Sequence, residues 1–448
     1  MNRYKTAPAD CSSLPKGIPY IIGNEAAERF SFYGMRAILV VFMTQYLLTA
    51  NGQADYMSND EAKGWFHLFV SAVYFTPILG ALISDGILGK YRTIIVLSLI
   101  YTAGHFALSI DDSRTGLAFG LGLIALGAGG IKPCVSAHVG DQFSQSNSHL
   151  LPRVFGWFYF SINLGAFFAT LLIPWLLDTY GSSVAFGVPG ILMLLATIIF
   201  WSGRNRFVHV PAGKKLFIKE VFSKQGMNVL TRLGALYIFI AMFWSLFDQT
   251  ASSWILQAEK MDRSIFGIEL LPSQLPAANP LLVMLLIPIF SYQIYPLTNK
   301  VFTLTPLRKI SIGLFITVLA FVISAVIQEK IDAGLTPHIS WQILAYIILT
   351  SAEVMISITC LEFSYTQAPT KMKSFIMAFF MMSIAIGNLF TSAVNFFIEN
   401  DDGSSKLAGA DYFWFFSLLM LITATAFIFL AKNYKEKSYL QPIIAQKN

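Results

Sequence analysis

Apolar residues occur along this chain in long runs that short polar segments interrupt. A run of about 20 mainly apolar residues is long enough to cross a membrane as a helix. The pattern predicts twelve such helices, over residues 18–49, 64–84, 92–110, 116–137, 154–177, 184–202, 231–256, 280–298, 309–327, 339–362, 372–398 and 411–431. An even number of spans returns the C-terminus to the side of the membrane on which the N-terminus lies.

The composition supports this interpretation. Of the 448 residues, 55% are hydrophobic and only 12% are charged, about half the charged fraction of an ordinary soluble domain, and the mean hydropathy is +0.61. We therefore expect an all-α integral membrane protein that has the lipid bilayer as its environment, rather than a secreted, disordered, repeat or cytosolic-enzyme class. The three cysteines form no CxxC pair and no His has metal-ligand spacing, so we expect no disulfide framework, metal or other cofactor.

The distribution of basic residues predicts the orientation. The formal net charge is +6, but the cations are spread over short loops, which argues against nucleic acid as a partner. With a cytoplasmic N-terminus, most Lys and Arg residues fall on the cytoplasmic side, as the positive-inside rule requires. The opposite side holds only Lys63, Arg114, Lys260, Arg263, Lys330 and Lys406. Both termini are therefore predicted to be cytoplasmic.

A basic, polar segment divides the spans into six and six. We expect an N-terminal six-helix bundle over residues 1–202, a cytoplasmic linker over 203–230 and a C-terminal six-helix bundle over 231–448. This layout is that of a major facilitator transporter, in which the substrate site lies near the bilayer midplane between the halves.

The loop after the second span contains a possible gate motif. Its sequence, Gly80-Ala-Leu-Ile-Ser-Asp85-Gly-Ile-Leu-Gly89-Lys90-Tyr-Arg92, resembles the cytoplasmic signature of that superfamily. Asp85, Lys90 and Arg92 are then expected to lock neighbouring helices at an inner gate. The alternative is an ordinary helix end with flanking charges.

Ionisable residues inside the predicted spans are costly, because an Asp, Lys or Arg at a helix centre costs roughly 2.5 to 3.5 kcal/mol on insertion. They must pair with one another or line a watery cavity. The residues concerned are Glu25, Glu28, Arg29, Arg36, His67, His105, Lys132, Asp248, Glu353 and Glu362.

The first span has the highest density of these charges. Glu25, Arg29, Tyr33 and Arg36 follow one another at spacings of four, four and three, which places them on one helical stripe. Glu28 lies about 100° from Arg29. We expect this stripe to face the protein interior, either for proton and substrate chemistry or, alternatively, as an ion-pair network that only orients helices.

The other spans supply possible partners. Lys132 needs a carboxylate from the first span to remain charged, while Asp248 and Glu353 would face the first-half cations across a cavity. His67 could take a proton near neutral pH, although a structural role is as common for a lone membrane histidine. His105 is interpreted as structural, and Glu362 is expected to pair with the region of Lys371 and Lys373.

Five sequence blocks, in order along nearly the whole chain, resemble the proton-dependent oligopeptide transporter family, POT/PTR2, a branch of the major facilitator superfamily. The blocks are Glu25-Ala-Ala-Glu28-Arg29-Phe30-Ser-Phe-Tyr33-Gly34, the stretch from Gly129 through Lys132 to Asp141, Phe158-Tyr159-Phe-Ser-Ile-Asn163, Phe243-Trp244-Ser-Leu-Phe247-Asp248-Gln249, and Ala352-Glu353-Val-Met-Ile-Ser357.

The resemblance implies a proton-coupled symporter of the bacterial inner membrane, functional as a monomer. It would import di- and tripeptides by alternating access, without enzymatic activity and with the proton as its coupling ion. The implied substrate-binding residues are Arg29, Tyr33, Arg36, Tyr74, Lys132, Tyr159, Asn163, Trp244, Asn279 (whose register is looser), Glu353 and Ser357. The implied proton-coupling residues are Glu25, Glu28, Arg29, Lys132, His67 and Asp248, and Arg36 and Asp248 would also pair at an outer gate.

Two features depart from the family pattern. Many bacterial relatives insert two further helices between the halves, but residues 203–230 are too few and too polar for two spans. The eleventh predicted span has Phe379-Phe380 where a tryptophan is expected, so an indole donor is absent.

Two other functions compete with peptide transport. A transporter of nitrate, amino acids or drugs could use the same scaffold, although Glu25, Glu28 and Glu353 favour a proton-coupled zwitterionic substrate. A membrane enzyme or sensor is a further possibility, but the sequence contains no nucleophile motif, Gly-rich phosphate loop or appended cytosolic domain.

Overall fold

Long helices dominate the computed structural model, which describes residues 4–8, 10–212, 223–367 and 372–434. Each label below covers one continuous helical segment, including any short 3-10 or π turn within it. The segments are α1 (Ile18–Gln45), α2 (Asn59–Leu88), α3 (Lys90–Ile110), α4 (Arg114–Gly140), α5 (Leu151–Tyr180), α6 (Ser182–Ser202), α7 (Lys224–Ala258), α8 (Pro272–Val301), α9 (Pro306–Asp332), α10 (Ser340–Thr366), α11 (Lys373–Ile398) and α12 (Ala410–Asn433). A two-stranded hairpin, β1 (Ser264–Ile265) and β2 (Ile268–Glu269), is a small exception to the predicted all-α structure.

Eleven helices of the described chain, α2 to α12, are long and apolar enough to cross a membrane. The first helix, α1, has 28 residues and a length of about 42 Å, more than the hydrocarbon core of about 30 Å. It is less apolar because it contains Glu25, Glu28, Arg29 and Arg36. Three of these charged residues, Glu25, Glu28 and Arg36, are buried in the protein, so the charged stripe faces the interior as expected.

Polar capping residues lengthen several helices beyond the predicted apolar runs. The Ser58 hydroxyl accepts a hydrogen bond from the Glu61 amide, and α2 therefore begins at Asn59 rather than near residue 64. The Ser223 hydroxyl accepts a hydrogen bond from the Gly226 amide in the same way. The helix α7 therefore begins at Lys224, seven residues before its predicted start at residue 231. A cap that satisfies free backbone amides stabilises a first turn that hydropathy alone does not detect.

The helices form two halves, each with its own hydrophobic core. The core of α1 to α6 contains Phe32, Phe42 and Phe186, and the core of α7 to α12 contains Phe321 and Phe416. The halves meet where α2 packs on α11 and where α5 packs on α8. Below, the outer end is the end of the bundle with the loop 46–58, and the inner end is the end with residues 4–17.

The start of the predicted linker is fixed to the first half. The Gln142 side chain accepts a hydrogen bond from the Val208 amide at 2.9 Å and donates one to the Val208 carbonyl at 3.4 Å, and Phe207 is fully buried. Residues 213–222 of the linker lie outside the described part of the chain. The 21 residues from the end of α6 to the start of α7 are too few for two further spans of about 20 residues each.

Irregular turns occur within several of the helices. A 3-10 turn, Asp248–Ala251, lies within α7, and a π turn, Val354–Ile358, follows Glu353 directly in α10. Two further π turns occupy Ser84–Leu88 in α2 and Phe290–Ile294 in α8. Single π turns often mark functional sites in helices.

Glycines allow α2 and α4 to approach closely. A Cβ atom on Gly80 would lie 2.2 Å from the Gly130 carbonyl oxygen, and a Cβ atom on Gly129 would lie 1.8 Å from the Thr76 hydroxyl oxygen. Small residues at such crossings let two backbones touch, which is the principal way in which helices associate tightly in lipid.

Gly80→Ala should therefore destabilise the protein, because the added methyl group meets backbone that has no room to move. We expect a loss of about 1 to 3 kcal/mol, seen as a lower midpoint of thermal unfolding in detergent. Gly122→Ala on α4 is the control, since a Cβ atom there meets nothing within 4 Å. Equal midpoints for both variants would contradict the close contact.

Candidate functional site

A cavity of about 230 Å³ lies between the two halves. Nine of the eleven residues expected to bind substrate line it: Tyr33, Arg36, Tyr74, Tyr159, Asn163, Trp244, Asn279, Glu353 and Ser357. Asp248 also lines this cavity, as do apolar residues that include Ile162, Phe247 and Ile384. The cavity therefore combines aromatic walls with one cation from the first half and two carboxylates from the second.

Arg36 and Asp248 form an ion pair between the halves. The Arg36 Nη2 atom on α1 donates to Asp248 Oδ1 at the end of the regular part of α7. Both residues are buried, and the Arg36 guanidinium also lies 5.6 Å from the centre of the Phe66 ring. The pairing expected from the sequence is thus present.

Glu353 is the second carboxylate of the cavity. Its Oε2 atom accepts a hydrogen bond of 2.7 Å from Asn279 Nδ2, and Asn279 also donates to the Thr350 hydroxyl at 3.2 Å. Asn279, whose register was the least certain in the sequence, therefore lies on the cavity and orients Glu353. Residues from α8 and α10 together set the position of this carboxylate.

Behind the cavity, four charges of the first half form a buried cluster. Arg29 Nε lies 2.7 Å from Glu25 Oε1 and 3.2 Å from Glu28 Oε2, and Lys132 Nζ lies 3.5 Å from Glu28 Oε1. The Lys132 ammonium also lies 4.2 Å from the centre of the Phe32 ring. The predicted carboxylate partner of Lys132 from the first span is therefore Glu28.

Two residues expected to bind substrate belong to this cluster. Arg29 and Lys132 are absent from the residues that line the cavity, because both are drawn towards the carboxylates of α1. In this structure both take part in ion pairs behind the cavity, and their expected contact with substrate stays a prediction. The predicted coupling residues Glu25 and Glu28, in contrast, do lie together with both cations.

His67 lies in a polar network next to the Arg36–Asp248 pair. Its Nδ1 atom is 2.7 Å from Asn388 Oδ1, and its Nε2 atom is 2.9 Å from the Ser252 hydroxyl oxygen. Asn388 Nδ2 in turn donates to Asp248 Oδ2 at 2.6 Å. Asn388 and Ser252 were not among the expected site residues, although an asparagine inside the apolar eleventh span was a visible signal.

Several further contacts join the halves towards the outer end. Gln45 donates to Glu259 at 2.8 Å, Ser392 donates to the Gly64 carbonyl at 2.8 Å, and the Lys63 ammonium lies 3.9 Å from the centre of the Tyr412 ring. Glu259 follows the end of α7, and its burial raises the pKa of the carboxyl group. The outer end is therefore held closed by polar contacts as well as by packing.

The three residues expected at an inner gate have different surroundings. Lys90 pairs with Asp141 at 2.7 Å, whereas Asp85 is exposed. The π turn Ser84–Leu88, together with Gly89 at a φ of 75°, changes the direction of the chain between Asp85 and Lys90. The Asp85 side chain therefore points away from Lys90, and it accepts a hydrogen bond from the Ser84 hydroxyl at 3.2 Å. Arg92 is exposed at the edge of a second cavity, between the inner ends of α2 and α3 and residues 209–212.

The remaining ionisable residues of the spans lie away from the cavity. His105 is fully buried, and neither ring nitrogen has a hydrogen-bond partner within the described residues. Glu362 is exposed, and its expected partners, Lys371 and the Lys373 side chain, lie outside the described part of the chain. The described residues contain no cluster of His, Cys, Asp and Glu suited to a metal ion.

Two helical halves that enclose a charged central cavity define a membrane protein with the major facilitator architecture, as predicted from the sequence. The POT family model matches residues 91–225 and 220–415. The chain therefore belongs to the POT family.

The similar proteins are named as carriers and transporters. The chain is 37% identical to human solute carrier family 15 member 2 over 73% of its own length and 51% of that protein. It is 37% identical to peptide transporter family 1 of Drosophila melanogaster over 71% of its own length and 48% of that protein. The chain thus spans about half the length of the curated relatives it matches.

One solved structure covers almost the whole fold. It is the crystal structure of an auto-inhibited POT family peptide transporter, 37% identical, and the alignment covers 96% of this chain and 99% of that chain with a TM-score of 0.85. The helical arrangement described above is therefore that of the family. The named relatives are transporters rather than enzymes.

Lys132→Met should destabilise the protein. Lys132 Nζ lies 3.5 Å from Glu28 Oε1, and both residues are buried. Removal of one member of a buried ion pair costs roughly 3 to 5 kcal/mol, because the other charge remains buried. We expect a lower midpoint of thermal unfolding in detergent than that of the unmodified protein.

The control is the double variant Lys132→Met/Glu28→Gln, which removes both charges and should recover part of the lost stability. If the double variant recovered none of the stability that the single variant lost, the Lys132–Glu28 pair would not be the relevant interaction.

Proposed function

We propose that this protein is a proton-coupled symporter that imports di- and tripeptides by alternating access. The observation that carries the proposal is the central cavity, which presents Arg36 from the first half and Glu353 from the second, with Tyr33, Tyr74 and Trp244 among its walls. A zwitterionic peptide needs a cation at one end and a carboxylate at the other. Aromatic walls tolerate many side chains because they require few specific hydrogen bonds.

The peptide ends bind to opposite halves. Glu353, oriented by Asn279, receives the peptide amino group. Arg36 receives the peptide carboxylate, which then competes with Asp248 for the guanidinium. Substrate binding is thereby coupled to the pair that joins the halves, because one guanidinium cannot serve both carboxylates equally.

The proton acts on the buried cluster behind the cavity. When Glu25 or Glu28 binds a proton, its cation partner loses a countercharge and becomes free to turn towards the peptide carboxylate. Lys132 is the better candidate for this movement, since its ammonium is 3.5 Å from Glu28 while Arg29 is held by two carboxylates. Proton and peptide together then shift the equilibrium between the two access states, each through its differential affinity for them.

The protein acts in the bacterial inner membrane as a monomer, with both termini in the cytoplasm. Its partners are then the peptide, the proton and the lipid bilayer. The excess of Lys and Arg on the side of the N-terminus supports this orientation.

The test is uptake of radiolabelled dialanine into proteoliposomes, with and without an inward proton gradient and a membrane potential. Unlabelled tripeptide, alanine and nitrate serve as competitors. We expect gradient-dependent accumulation that the tripeptide alone blocks. Competition by nitrate or alanine, or no uptake by folded protein, would favour another substrate on the same scaffold.

Glu353→Gln should reduce dialanine uptake about tenfold or more, because a hydrogen bond to a charged group is replaced by a neutral one in a water-poor site. Glu362→Gln is the matched control, since it lies on the same helix but is exposed, and it should transport normally. Uptake and the amount of folded protein are measured together. Normal transport by Glu353→Gln would remove this residue from substrate binding.

A further inference from the structure

A second cavity lies at the inner end of the first half. Its volume is about 810 Å³, and it is bounded by the end of α2, the start of α3, the end of α6, the N-terminal residues 4–6 and the linker residues 209–212. Within the described chain, no residue lines both this cavity and the central one. We call it the inner-end cavity, and the candidate substrate site does not account for it.

The N-terminal segment and the start of the linker form an ordered wall of the inner-end cavity. The His209 amide donates to the Lys5 carbonyl at 2.8 Å, and the Tyr4 and His209 rings stack with their centres 4.2 Å apart. The linker also passes close to the turn between α2 and α3, where a Cβ atom on Gly89 would lie 3.3 Å from the Val210 carbonyl oxygen. Specific contacts therefore shape this wall, and the cavity is a built part of the fold.

The charge at the inner-end cavity is of one sign. Arg92 lines the cavity and is exposed. The Arg204 guanidinium lies 3.7 Å from the centre of the Trp201 ring, which also lines the cavity. Neither arginine is among the ion pairs of the described residues, and the described residues that line the cavity include no acid. Within this part of the chain, both guanidinium groups are therefore available to an anion.

Exposed apolar side chains lie beside these cations. Ile87, Val96 and Trp201 are exposed and line the cavity. The exposed apolar surface continues three residues further from the inner end, at Leu99 on α3 and Ile198 on α6. Because α3 packs on α6 and residues three apart share a helix face, these side chains form an apolar track that leads from the cavity along the outside of the bundle.

An anion that carries apolar chains fits this combination. A guanidinium binds a phosphate group through two parallel hydrogen bonds, and a tryptophan near the end of a membrane helix is typical of the level of the lipid head groups. A free phosphate ion would use the arginines but would leave the apolar track without a role. A zwitterionic phospholipid would bring its own cation close to Arg92 and Arg204, whereas an anionic phospholipid would not.

We propose that the inner-end cavity binds an anionic phospholipid, with the phosphate of its head group between Arg92 and Arg204. One acyl chain of this lipid follows the apolar track past Leu99 and Ile198. The bound lipid contacts the N-terminal segment, the turn between α2 and α3 and the linker, and so holds the start of the linker on the first half. This inference goes beyond peptide transport and does not depend on it.

The first measurement is native mass spectrometry of the delipidated protein in detergent, titrated separately with phosphatidylglycerol and phosphatidylcholine. We expect the first phosphatidylglycerol molecule to bind more tightly than phosphatidylcholine. Arg92→Gln/Arg204→Gln should weaken phosphatidylglycerol binding about fivefold for each arginine, because a basic residue near a membrane surface contributes about that factor. Arg92→Lys/Arg204→Lys should retain the preference for phosphatidylglycerol, since it keeps both charges.

Arg153→Gln is the matched control. Arg153 is an exposed arginine at the inner end of α5, and its guanidinium lies 4.9 Å from the centre of the Trp157 ring, but it does not line the inner-end cavity. Its replacement removes the same charge and should leave the binding of the first phosphatidylglycerol molecule unchanged. If Arg153→Gln weakened binding as much as Arg92→Gln alone, the general charge of the inner end would explain the effect and the proposal would fail.

The second measurement locates the lipid. Val210 lines the cavity and is exposed, so Val210→Cys reports access to the cavity in a chain whose native cysteines are replaced. A water-soluble maleimide should label this cysteine about tenfold more slowly when phosphatidylglycerol is present at about ten times its dissociation constant, because about one tenth of the sites are then free. Phosphatidylcholine and inorganic phosphate should have little effect. Gln145→Cys, in the exposed loop between α4 and α5 at the same end, should label at an unchanged rate.

Three outcomes would overturn the proposal. The first is equal labelling of Val210→Cys with both phospholipids, and the second is equal binding of phosphatidylglycerol by the unmodified protein and Arg92→Gln/Arg204→Gln. The third is protection by inorganic phosphate as strong as that by phosphatidylglycerol, which would make the cavity a site for small anions. Because Val210→Cys keeps both arginines, its labelling decides the question even if the double glutamine variant does not fold.

Discussion

The ion pair between Arg36 and Asp248 is the interaction on which the arrangement of the two halves depends. Each half has its own hydrophobic core, and Ala251 and Leu256 of α7 also pack with the core of the first half. A buried guanidinium, in contrast, is tolerated only opposite a carboxylate, and this carboxylate belongs to the other half. Apolar packing therefore builds the bundles, while a charge requirement aligns them and places the cavity between them.

The same requirement explains why the charges of the first half lie in two groups. Arg36 is paired across the interface, whereas Arg29 and Lys132 are paired with Glu25 and Glu28 inside their own half. In the proposed mechanism, the first group responds to movement between the halves, and the second responds to protons within one half. Tyr33 lies between Arg29 and Arg36 on α1 and lines the cavity. It is therefore the residue of α1 that lies next to both groups of charges and to the cavity.

Much of this could be predicted because membrane insertion makes charges conspicuous. The spans, the stripe on α1 and the need of Lys132 for a carboxylate from the first span follow from apolar runs and from the cost of isolated charge, whereas the pairing of Arg36 with Asp248 was implied by the family resemblance. Other features depend on tertiary geometry. A π turn sends Asp85 away from Lys90, and the partners of Asn388, which are His67 and Asp248, lie on two other helices. Arg29 and Lys132 lie behind the cavity because the nearest carboxylates, Glu25 and Glu28, are there. The spacing of residues on separate helices does not show which carboxylate will be nearest to a given cation.

The π turn after Glu353 has a geometric consequence for α10. Such a turn holds one residue more than a turn of α-helix, and one residue corresponds to about 100° around a helix axis. Rewinding of Val354–Ile358 into regular α-helix would therefore rotate the part of α10 that carries Glu353 relative to the part beyond the turn. The Glu353 carboxylate could then leave the cavity when the hydrogen-bond register changes over only the five residues Val354–Ile358. Both ends of α10 would stay where they are in the membrane.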